Sequence, residues 1–80
     1  MRLLFVMDPL ELIQVEGDST YVMMYEATRR GWETWWCTPE GLRVRDGQAM
    51  ALSESVKTSL EEPFFNRGSS MDLSLGHFDC

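Results

Sequence analysis

Basic residues, histidines, cysteines and long apolar runs are all scarce in this chain, and each scarcity closes off a class of function. Seven Lys and Arg stand against thirteen Asp and Glu, a formal net charge of −6. A surface of that sign repels a phosphate backbone, and the only clustered cations are Arg29-Arg30 and Arg43/Arg45, so nucleic-acid binding is not expected. The longest apolar run, Leu3 to Met7, falls far short of the roughly 20 residues that span a bilayer. The start of the chain also lacks a signal-peptide pattern, so a soluble cytoplasmic protein without membrane attachment is expected. Cys37 and Cys80 are the only cysteines and belong to no CxxC or Cys/His ligand spacing, which predicts free thiols. His77 is the sole histidine and follows a glycine in a stretch that reads as loop. Neither a metal site nor a Ser or Cys nucleophile with a histidine base is predicted. The chain also has no GxxxxGK[ST] loop and no GxGxxG turn, the two common phosphate-binding fingerprints.

What is present describes one small folded domain. Of the 80 residues, 44% are hydrophobic and 25% charged, a composition that can build a core but leaves room for only one. Leu3-Leu4-Phe5-Val6-Met7 is a continuous apolar run closed by Asp8-Pro9. A strand covered on both faces of a parallel sheet reads this way, and the proline ends it by removing a donor and disfavouring helix at Asp8. A loop is expected to about Gly17. Asp18, Ser19 and Thr20 are good N-cap residues, and no Gly or Pro interrupts Tyr21 to Arg30 before Gly31, so a helix of about three turns is predicted with Gly31 as its left-handed stop. Val22, Met23, Met24 and Ala27 are its expected apolar face, flanked by Tyr21 and Tyr25. Trp32 to Cys37 is aromatic and Thr-rich, which predicts a second strand parallel to the first and a βαβ unit over residues 3 to 37. Its three tryptophans suit core or interdomain packing better than a stacking platform.

Thr38-Pro39-Glu40-Gly41 reads as a turn, and Asp46-Gly47 between Leu42–Arg45 and Gln48–Leu52 predicts a type I′ hairpin. Residues 53 to 76 hold six serines and few aliphatics around Pro63-Phe64-Phe65, which predicts irregular structure pinned by one aromatic contact. Leu73, Leu75, Phe78 and Cys80 alternate with polar or small residues, so a further strand is expected to begin there. The fold class expected is α/β: a small Rossmann-like βαβ unit with parallel strands plus a β-hairpin, in an incomplete domain cut from a longer polypeptide.

Ligands of open α/β sheets gather beyond the carboxyl ends of the strands. That rule places Asp8 and Pro9, with Asp18, Ser19 and Thr20 at the helix start, along one edge of a cleft, where helix amides could hold a substrate carboxylate. The same residues fit a plainer role in which Asp8 and Asp18 only turn and cap the backbone.

Val6-Met7-Asp8-Pro9, Asp18-Ser19-Thr20 and Glu26-Ala27-Thr28-Arg29-Arg30-Gly31-Trp32-Glu33 resemble, in order and spacing, the opening strand, loop and first helix of prokaryotic glutathione synthetases. Pro39-Glu40-Gly41-Leu42, Val44-Arg45-Asp46-Gly47, Ala49-Met50-Ala51, Asp72-Leu73-Ser74-Leu75 and Phe78-Asp79 carry the resemblance along nearly the whole chain. Thr28 stands where the family often has glutamine, and Glu40-Gly41 replaces its usual Gly-Asp. The resemblance implies the N-terminal, pre-ATP-grasp domain of an ATP-dependent ligase that joins γ-glutamylcysteine to glycine. Central and ATP-grasp domains, which would bind Mg-ATP, lie outside the 80 residues, so the piece alone is expected to be inactive and to need no cofactor. Asp8, Ser19 and Thr20 carry over as wall-forming residues only. Family members are typically homo-oligomers, which makes self-association plausible. The competing reading is a free-standing, non-catalytic module that binds a protein or itself through an apolar patch around an exposed Trp35 or Tyr25.

Overall fold

The computed structural model describes residues 1–12, 19–60 and 64–80. The first apolar run forms strand β1 (Arg2–Val6), helix α1 covers Ser19–Arg29, and β2 spans Glu33–Cys37. β1 and β2 pair in parallel from Arg2↔Glu33 to Val6↔Cys37. The Met7 amide extends the ladder by donating to the Cys37 carbonyl at 2.9 Å. The predicted strand–helix–strand order is therefore present. Gly31 at φ +77° ends the helix, with the Trp32 amide reaching the Ala27 carbonyl at 3.1 Å and the Gly31 amide the Thr28 carbonyl at 3.0 Å. This is the double hydrogen bond that satisfies the last carbonyls when a left-handed residue follows a helix.

Three further strands complete the sheet: β3 (Leu42–Arg45), β4 (Gln48–Thr58) and β5 (Phe65–Ser74). Asp46 at φ 51° and Gly47 at φ 79° make the predicted hairpin turn, since a type I′ turn needs both central residues left-handed. Met50 pairs with both Arg43 and Ser74, and Glu54 with both Trp36 and Ser70. β2 and β3 thus follow one another along one edge of β4, and β5 takes the other. Among the described strands β1 and β2 pair in parallel and the other pairings are antiparallel, so the fold is mixed α/β with a mostly antiparallel, curled sheet.

The structure corrects the expectation of irregular structure over residues 53–76. β4 runs on to Thr58, and the serine-rich stretch after Phe64 is β5, paired to β4 from Thr58↔Phe65 to Met50↔Ser74. The reason lies in how β4 is buried. Ala51 and Ser53 are buried in its first half, Val56 and Thr58 in its second. Odd and even positions point to opposite sides of a strand, so the two halves bury opposite faces and no single alternation survives in the sequence. The change coincides with a register shift between Glu54 and Val56, where β5 carries one extra residue. Bulges of this kind bend and twist a ribbon.

Core and tail also depart from expectation. Met7, Leu10, Met24, Trp36 and Val56 form the core, with Phe5 and Phe65 packed against it. α1 buries Tyr21, Met24 and Ala27, whereas Val22 and Met23 are each 60% exposed. Met24 is core packing as expected, and Met23 is not, because one helical step of 100° carries it off the face that meets the sheet. The anticipated strand over residues 73–80 is divided: Leu73 belongs to β5, Leu75–His77 is a 3-10 turn, and only Asp79 and Cys80 run beside β1, bonded to Arg2 and Leu4.

Candidate functional site

β1 ends at Val6, Met7 turns inward to the core, and Asp8 and Pro9 follow at the carboxyl end of the parallel pair. Asp8 is exposed and Pro9 half-buried. The Pro9 carbonyl accepts from the Leu12 amide at 2.9 Å, closing a 3-10 turn over Leu10–Leu12. Leu10 is driven into the core at 5% exposure, which anchors the turn. Ser19 opens α1 exposed, and Thr20 behind it is half-buried. Asp18, the fifth residue assigned to this rim, lies outside the described residues. The helix exits into the amino end of β2, so its first turn belongs to the carboxyl end, on the side of Asp8. Tyr21 locks that turn: its hydroxyl donates to the Ser59 carbonyl, and its ring meets Phe64 and Phe65 edge-on at 6.5 and 5.8 Å.

Sequence reading missed a second group on the same rim. Arg67 of β5 donates from Nε to Glu54 Oε1 at 2.6 Å and from Nη1 to Glu11 Oε1 at 2.9 Å. Its guanidinium lies 5.6 Å over the Trp36 ring, and the Trp36 indole N–H donates to Glu54 Oε1 at 2.9 Å. A hydrogen bond from its own backbone, then the one from Arg67, hold the Glu11 carboxyl below its ordinary 4.5. Positions 11, 36, 54 and 67 share no spacing that a sequence could display; the β2–β4 pairing sets Trp36 opposite Glu54, the β4–β5 pairing brings Arg67 to them, and Glu11 joins through Arg67.

The opposite end of the parallel pair holds His77. Its Nε2 sits 3.2 Å from Glu33 Oε1, which also receives the Trp35 indole N–H at 2.5 Å. The Trp35 hydrogen bond first, and His77 second, lower the Glu33 carboxyl below 4.5. Trp35 is 7% exposed and so does not form the surface patch considered for it. Cys37 is buried and Cys80 exposed, both free, and burial pushes the Cys37 thiol up.

A groove of about 600 Å³ opens between α1 and the outer edge of β1. Leu3, Phe5, Val22, Met23, Ala27 and Cys80 are among its lining residues, which makes it apolar. It flanks β1, and the rim residues Asp8, Pro9, Ser19 and Thr20 are not among those that line it. Among the described residues no three of His, Cys, Asp or Glu come together as metal ligands, and no described helix is long and apolar enough to cross a membrane.

A parallel β1–α1–β2 unit joined to a long antiparallel ribbon makes this a mixed α/β domain with its conspicuous charged rim beyond the carboxyl ends of β1 and β2. Residues 1–80 match the family described as "Prokaryotic glutathione synthetase, N-terminal domain", and the chain belongs to that family. It is 40% identical over 80 residues to the glutathione synthetase of Prochlorococcus marinus (strain MIT 9313), covering 100% of this chain and 25% of that protein. The glutathione synthetase of Parasynechococcus marenigrum (strain WH8102) is 40% identical over 79 residues, 99% of this chain and 25% of its own length. That of Yersinia pestis is 31% identical over 80 residues, again 99% and 25%. The chain spans about a quarter of these relatives.

Proposed function

We infer that this chain serves as the substrate-cleft domain of an ATP-dependent carbon–nitrogen ligase that joins γ-glutamylcysteine to glycine in glutathione biosynthesis, and that alone it forms no bond. The observation that carries the reading is the match of the whole chain to the N-terminal domain of a family whose relatives are about four times longer. The rim at Asp8, Pro9, Ser19 and Thr20, with Asp18 beside them in sequence, is the proposed cleft wall. Beyond the carboxyl ends of parallel strands is where such folds take ligands. This Rossmann-like assignment is likewise a proposal, resting on β1, α1 and β2. By family resemblance, Mg-ATP is assigned to the further domains of such an enzyme. Two free cysteines suit a reducing, cytoplasmic setting. Family resemblance supports a homo-oligomer.

A non-catalytic module is the second reading, favoured by the 60% exposure of Val22 and Met23 beside the apolar groove. One experiment separates the two. The protein expressed from its full reading frame is incubated with ATP, γ-glutamylcysteine and glycine, and glutathione and ADP are measured. Formation of both, with none from residues 1–80 alone, is the expected result. Glutathione made by residues 1–80, or none made by the full protein, overturns the inference.

A further inference from the structure

We propose that Arg67 is a positioning residue that ties the β4–β5 ribbon to the rim turn carrying Asp8 and Pro9, and so sets the peptide-binding geometry of the ligase; this rests on the ligase reading above. The turn over Leu10–Leu12 has two anchors. Leu10 pegs it from below at 5% exposure, and the Glu11 carboxylate holds it from outside through Arg67 Nη1 at 2.9 Å. Sequence separation of 56 residues makes the second anchor a long-range one.

Arg67 can act as an anchor because it is itself immobilised. Glu54 takes its Nε at 2.6 Å, and the Glu54 side chain is only 18% exposed. Trp36 lies beneath the guanidinium at 5.6 Å and bonds the same Glu54 oxygen at 2.9 Å. A planar fork that stacks on an indole while bonding a carboxylate loses little further freedom when a second carboxylate arrives. Glu11 is 64% exposed and Arg67 46%, so the outer leg is weak by itself. Its use is to select one position of the turn. β5 pairs along β4 through a bulge adjacent to Arg67, and the ribbon thereby acquires a role at the rim that its own composition does not advertise.

The test uses the protein expressed from its full reading frame. Arg67→Ala is expected to raise KM for γ-glutamylcysteine about two- to fivefold, the range a partly exposed charge pair supplies, while kcat stays within about twofold. Glu11→Gln should give a similar rise, with no further rise in the double variant, since both remove one interaction. Arg67→Lys should recover part of the loss, because a point charge reaches Glu11 but cannot fork to Glu54 as well. Unchanged KM, a loss confined to kcat, or additive effects overturn the proposal. If the full protein makes no glutathione, the ligase reading fails separately, and hydrogen exchange at the Leu12 amide decides. Exchange faster by about two- to fivefold in Arg67→Ala supports the anchor, and unchanged exchange overturns it.

Discussion

Leu3 and Cys80 stand opposite one another as a parallel pair: the Leu4 amide donates to the Cys80 carbonyl at 2.9 Å, and the Cys80 amide lies 3.4 Å from the Arg2 carbonyl. The Asp79 amide reaches that same carbonyl at 2.7 Å, and its carboxylate takes the Arg2 amide at 2.7 Å. The last residues therefore occupy the outer edge of β1, which would otherwise present unpaired backbone groups to solvent.

Removing residues 78–80 should consequently loosen β1. Loss of these backbone bonds and of the Phe78 ring against His77 is expected to cost about 1–3 kcal/mol. Urea unfolding of residues 1–77 and of residues 1–80 measures it, and hydrogen exchange at Leu4 should accelerate most among the β1 amides.

Neighbouring methionines of α1 should respond very differently to truncation. Met24 is 0% exposed and Met23 60%. Met24→Ala should destabilise by about 2–5 kcal/mol through lost burial and a residual cavity, while Met23→Ala should stay within about 0.5 kcal/mol. Equal effects in chemical denaturation would contradict the face assigned to the helix.

Gly68 reports on the β4–β5 register. A Cβ at this position would lie 2.1 Å from Ser55 Oγ and 3.4 Å from Ser55 Cβ. Gly68→Ala should therefore cost about 1–3 kcal/mol by overpacking. In a Ser55→Ala background, where the hydroxyl is gone, the same substitution should cost visibly less. A double-mutant cycle by thermal denaturation reads the coupling.

Acid should weaken the end of α1 through Glu26. Hydrogen bonds from Arg29 and then Arg30 bring its carboxyl down from 4.5 to about 2, at distances of 2.6 and 2.9 Å. A folded-state value below the unfolded one stabilises the protein above about pH 4.5, and the benefit fades as pH falls toward 2. Because all three side chains are largely in water, the effect should be modest and reduced by salt. Stability of Glu26→Gln measured against pH should lack this part of the acid slope.

Much of the local architecture was legible in the residues because its causes are local. Pro9 ends β1, Gly31 ends α1, and Asp46-Gly47 turns the β3–β4 hairpin, each through backbone geometry that one or two side chains impose. Asp8, Pro9, Ser19 and Thr20 could be assigned to one end of the sheet for the same reason, since strand–helix connectivity alone puts them there. The turn residues did not announce what Glu11 would touch.

By itself, then, the order of residues determined the parallel β1–α1–β2 unit, the hairpin and the family to which the chain belongs. Tertiary structure decided that serine-rich residues 65–74 are a strand, because backbone pairing with β4 leaves no mark on side-chain composition. It decided that β4 buries opposite faces in its two halves, so that Ser53 and Val56 both lie inside although they fit no common alternation. It also brought Glu11, Trp36, Glu54 and Arg67 together, because contacts between distant strands depend on register, which no short stretch of sequence carries.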